Sequence, residues 1–145
     1  MLKILLLNSV FSLSINLFAQ PYQQDKPALV SHLFTLQKIE AQARKMVNTM
    51  IGVVKKQKPS VPESYWQQLG QQINTKPFIQ NLKLVYERNY SVEQLQKLIQ
   101  YYQKPGGGPP VTHSSKMEQE IYQVGNQFGK ETGRFISQKL KQDGY

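Results

Sequence analysis

No cysteine occurs among the 145 residues, which excludes disulfides, thiol catalysis, iron–sulfur clusters and thiolate zinc sites. A chain of this length builds one modest core and must hold it by packing alone. Acid is also scarce: nine Asp and Glu face eighteen Lys and Arg, a formal net charge of +9. Such a balance favours anionic partners, whether nucleic acid, lipid headgroups or acidic polymers. The cations are dispersed, with one local cluster at Lys55, Lys56 and Lys58 beside Pro59 and no arginine-rich run, and that argues against nucleic acid. Histidine is limited to His32 and His113, without an acidic residue at metal-ligand spacing. No H-E-x-x-H, G-x-S-x-G, P-loop or dinucleotide fingerprint occurs, so no metal or cofactor is called for.

Long apolar runs are missing after the first nineteen residues, and those nineteen differ from the rest. Lys3 supplies a basic start, Ile4 to Phe18 is apolar but interrupted by Asn8, Ser9, Ser12, Ser14 and Asn16, and Leu17-Phe18-Ala19 places a small residue at a cleavage position. This reads as a secretory signal peptide over residues 1–19, cut between Ala19 and Gln20. The uninterrupted run falls short of the roughly 20 residues a membrane span needs, and no cysteine follows for lipid attachment. The expected address is therefore exported, periplasmic or secreted, with no transmembrane span in the mature chain. Removing the leader takes away Lys3 and no acid, leaving about +8 and the same bias toward anions.

What is present is helical periodicity. Residues 20–27, "QPYQQDKP", read as a flexible lead-in, and 28–145 as a single domain. From Ala28 to Lys56, apolar residues return every three or four positions, predicting one long amphipathic helix ended by Pro59. A second helix opens near Ser60 and Pro62 and spaces Tyr65, Trp66, Leu69 and Ile73 on one side. A third runs from Thr75 and stops before Tyr90. Ser91 with Gln94 forms a capping box that starts a fourth, "PGGGPP" at 105–110 is a loop, and a fifth helix runs to about Lys141 after Ser114 and a second box at Ser115 and Glu118. The fold class is all-α, a compact bundle of about five helices.

The last helix carries Gly125, Gly129 and Gly133 every four residues, although glycine costs a helix interior about 1 kcal/mol relative to alanine. At about 100° per residue, Met117, Ile121, Val124, Phe128, Thr132 and Phe135 share one arc, and the glycines lie in the arc beside it. Lys130 and Arg134 fall opposite. This predicts a helix-packing face where a neighbouring helix, from the same chain or another copy, approaches backbone to backbone. Gly129→Leu should then be severely destabilising.

Carboxylates near these features are Glu63, Glu118 and Glu120, which read as first-turn residues favoured by the helix dipole. Ser114 beside His113 reads as an N-cap. Tyr65, Trp66, Tyr101 and Tyr102 form a candidate binding surface, since such side chains present an apolar body and a polar tip.

The order "VPESYWQQL", "YERNYSVEQLQKLIQYYQKP" and "MEQEIYQVGNQFGKETGRFISQKL" behind an exported leader resembles the bacterial family called domain of unknown function 2059. Val61, Pro62, Tyr65 and Trp66, then Tyr86, Ser91, Glu93 and Leu95, then Tyr101, Tyr102, Pro105 and Gly107, then the three glycines carry the likeness over residues 46–141. The family usually enters the last helix through a G-K-K-hydrophobic turn, where this chain has "GGGPPVTHSS" and a longer loop is expected. The resemblance implies a small exported helical domain and transfers no catalytic residue. The expected function is a noncatalytic binding or structural module of the bacterial cell envelope, with an envelope protein, anionic polymer or lipid headgroup as partner. A hydrolase acting on an envelope polymer and a peripheral anionic-lipid-binding protein remain alternatives, and a homo-oligomer stays open.

Overall fold

The computed structural model describes residues 25–104 and 111–145. The proposed leader, most of the lead-in and the loop at 105–110 lie outside them. Six α-helices and no strand occur among the described residues: α1 (Lys26–Leu36), α2 (Ile39–Gln57), α3 (Glu63–Gln72), α4 (Lys76–Asn89), α5 (Val92–Gln103) and α6 (Ser115–Gln142).

The expected long first helix is two helices, and its start lies at Lys26, inside the segment read as flexible. Pro27 sits in the first turn of α1, where its missing N–H costs nothing. The break falls at Lys38, with φ 55° and ψ 40°, the only non-glycine residue with positive φ among those described. That left-handed conformation costs an L-residue roughly 1–2 kcal/mol, and the packing explains why it is tolerated. Leu29, Val30, Leu33 and Phe34 are the buried residues of α1, Ala43, Val47 and Ile51 those of α2. On one straight helix the centres of these two sets would point about 70° apart. The bend turns each stripe onto the core.

Helix α1 lies against α4 and α5, α6 runs along α4, and α2 carries α3 on its flank. One continuous core results, with Val30, Leu33, Val47, Leu69, Val85, Leu95, Met117 and Ile136 almost wholly enclosed. Phe78 of α4 stacks on Phe128 of α6 at 4.7 Å. At the other end of this antiparallel pair, Asn89 Nδ2 and Arg88 Nη2 donate to Glu120 Oε2 at 2.9 and 3.3 Å. Glu120 is thus a cross-helix acceptor, one turn too late for the dipole role read from sequence. The Asn89 amide, more than the Arg88 charge, holds its carboxyl below the usual carboxylate range.

Caps follow the sequence in part. Ser91 and Gln94 make the full capping box, with bonds of 2.8 and 3.1 Å. Ser114 caps α6 by accepting from Met117 N at 3.2 Å, so the second box at Ser115 and Glu118 is not the one used, although Glu118 keeps its first-turn place. Helix α3 begins after Pro62 without a side-chain cap, so Ser60 is not its N-cap.

The glycine row needs a larger correction. Among the described residues a Cβ placed on Gly125, Gly129 or Gly133 meets nothing within 4 Å, so no described helix approaches the row backbone to backbone. Close approach occurs instead at Gly70 of α3, where a Cβ would come 3.1 Å from Ile51 Cδ1 of α2. An alanine at 70 would require the Ile51 side-chain tip to give way by a few tenths of an ångström.

Candidate functional site

That approach shapes a groove of about 600 Å³ between α2 and α3. Arg44, Asn48 and Lys55 of α2 recur at helical steps along one wall, and Glu63, Gln67 and Gln71 of α3 along the other. Residues four apart on a helix share a face, so each wall is a ladder of polar side chains. Ile51, Gly52, Trp66 and Gly70 also line the groove. A Cβ on Gly52 would meet nothing within 4 Å, which leaves the α2 backbone open to a ligand.

Arg44 is held in place from behind. Its Nη1 donates to the carbonyls of Ile73, at 2.9 Å, and Gly70, at 3.5 Å, satisfying carbonyls that the end of α3 would otherwise leave unpaired. Lys55 pairs with Glu63 across the opposite end. Both partners are about half exposed, 43% and 59%, so the pair contributes at most about 1 kcal/mol and opens readily. Between these ends the amides of Asn48, Gln67 and Gln71 have no partner among the described residues. The groove therefore offers a fixed guanidinium, an ammonium and three free amides: donors and acceptors for hydroxyls and carboxylates, with a net positive charge.

No family model, curated protein or solved structure matches the chain. What the groove does must be read from its own chemistry. Trp66 is 2% exposed and its buried Nε1–H has no acceptor among the described residues. Tyr65, half-buried beside it at 5.9 Å, points toward the end of α6, where its hydroxyl donates to Asp143 Oδ2 at 3.0 Å and its ring meets Tyr145 at 4.8 Å. Burial first, then that carboxylate, push the Tyr65 phenol up to about 12. Tyr101 and Tyr102 form a separate pair, 5.1 Å apart, at the end of α5 and close enough to Tyr86 and Tyr90 for Tyr102 to affect both. The four candidate aromatics thus form two pairs, one of which borders the groove.

The polar ladders of Arg44, Asn48, Gln67 and Gln71 have no place in the sequence reading. Their signal is the recurrence of polar residues at four-residue spacing beside the apolar stripe of two successive helices. Acid–base chemistry is not assembled in the groove: its one carboxylate, Glu63, is ion-paired. His113 packs against Tyr86 and Tyr90 at 5.9 and 6.1 Å, and His32 is exposed on α1. Among the described residues no three His, Asp or Glu gather as metal ligands.

The cluster around His113 yields a pH prediction. Tyr90 is 4% exposed and its hydroxyl has no partner among the described residues; burial, with smaller contributions from Tyr86 and Tyr102, pushes the phenol up to about 12. A tyrosine in the unfolded chain ionises near 10, so above that pH the unfolded state sheds the proton first. Stability is full below pH 10 and falls by about 2 kcal/mol as pH rises toward 12. Tyr90→Phe should flatten much of this slope in urea titrations at pH 9 to 12; an unchanged slope would place the ionising group elsewhere.

Proposed function

We propose that this chain is a noncatalytic binding module exported to the bacterial cell envelope, and that the α2–α3 groove takes an extended anionic polymer bearing hydroxyls and carboxylates. The groove carries this reading: a guanidinium anchored at one end, an ammonium at the other, and unpaired amides in a row between them suit a chain of polar repeats. The adjoining hollow lined by Gly52, Lys55, Lys56, Lys58 and Val61 continues the positive surface past the end of α2. The leader pattern of residues 1–19 and the resemblance to the domain of unknown function 2059 family support the address. No helix among the described residues is long and apolar enough to cross a membrane.

The test is retention of the purified full chain on immobilised acidic envelope polysaccharide against a neutral one at equal ionic strength. Binding should be selective for the acidic polymer and weaken with salt. Combined Gln67→Ala and Gln71→Ala, both exposed and remote from the core, should weaken it about tenfold, the effect of losing about 1.4 kcal/mol of contacts. Equal retention of both polymers, or indifference to the double variant, would reject the groove. Release of reducing ends during the same incubation would favour the hydrolase.

A further inference from the structure

A second cavity lies at the bend between α1 and α2 and is chemically distinct from the groove. Its volume is about 510 Å³, and Ser31 and Thr35 of α1, Lys38 at the bend, Glu40 and Arg44 of α2, and Lys83 of α4 bring polar groups to it. Three cations thus meet one carboxylate. Glu40 makes no ion pair with any of them among the described residues, and none of the three pairs with another acid. Lys83 is half-buried, and the bond its Nζ donates goes to Ser31 Oγ at 3.0 Å. An ammonium drawn from bulk water without a counter-charge is costly, and a neutral hydroxyl does not supply that charge. Phe34, Ile39 and Ile79 complete the walls, which leaves room for more than a bare oxyanion.

We propose that this cavity binds the phosphate group of a phosphate ester, held by Lys38, Lys83 and Arg44, with the esterified portion against Phe34, Ile39 and Ile79. Phosphate suits a cavity lined by three cationic residues because several oxygens of one group accept charge-assisted bonds at once. The site is independent of the groove reading, since Lys38 and Lys83 do not line the groove. Arg44 borders both cavities and is left out of the test.

The experiment titrates the full chain with inorganic phosphate, replacing chloride at constant ionic strength, while backbone amide resonances are followed. Saturable shifts at Ser31, Lys38 and Ile39 are expected, with affinity falling about tenfold in Lys83→Gln and in Lys38→Gly. Lys38→Gly separates binding from folding, because glycine relieves the left-handed backbone: its melting temperature should hold or rise while phosphate affinity falls. The double variant at Gln67 and Gln71 should bind phosphate as the parent does. Phosphatidylglycerol vesicles distinguish the source of the ester. Retention on them that inorganic phosphate displaces assigns a lipid headgroup; phosphate shifts without retention assign a soluble ester. Absence of saturable shifts, shifts unchanged in both lysine variants, or shifts lost only in the groove variant would overturn the proposal.

Discussion

Replacing Gly125, Gly129 and Gly133 together with alanine is expected to stabilise the chain by about 3 kcal/mol, the summed helix propensity of three positions. For a domain of this size that corresponds to a rise in melting temperature of about 10 °C. The direction follows from geometry: each added methyl enters open space, so the propensity gain meets no packing loss. The expected sign for Gly129 is therefore opposite to the one its spacing suggests. Thermal melts by circular dichroism, with sedimentation of parent and variant, decide the matter. A lower melting temperature with loss of a self-associated species would show that a second copy occupies the row, the branch in which the glycines serve packing between chains.

Phe128→Ala, one residue away, should act strongly in the other direction. Phe128 is 5% exposed and stacks on Phe78, itself 9% exposed, with 27° between the rings. Truncating a buried phenylalanine costs about 3–5 kcal/mol, against a total stability of about 5–15 kcal/mol. The stacked pair adds a part of its own, about 1 kcal/mol in a double-mutant cycle with Phe78→Ala. Urea unfolding measures all three variants. A cost under about 1 kcal/mol for Phe128→Ala would mean that α6 is not held on α4 through this contact.

These adjacent positions show what periodicity conveys. The wheel separates the polar side of α6 from the rest, and Met117, Phe128 and Thr132 of its apolar arc are buried. It cannot say whether the neighbouring arc is covered, because glycine contributes no side chain whose exposure would be penalised. Gly70 is the converse case: a lone glycine with no repeat to draw attention sits where two helices touch. The bend at Lys38 carries no proline or glycine and shows only in the drift of the apolar stripe. The all-α class, the Ser91 cap and the stop before Tyr90 were legible because each depends on a few neighbouring residues. Both candidate sites were largely illegible, since polar residues between helices obey the same rules as polar residues facing water, until tertiary packing closes a groove around them.

The bond from Lys26 to the carbonyl of Glu87 joins positions 61 residues apart, and α1 finds its cover in α4 and α5. Synthesis delivers α1 first. Leu29, Val30, Leu33 and Phe34 therefore lack their full cover until α4 and α5 are both present, whereas α2 and α3 are neighbours in sequence. Long-range contacts of this kind slow folding and leave apolar surface open to association while the chain is incomplete. No disulfide pins α1 in advance.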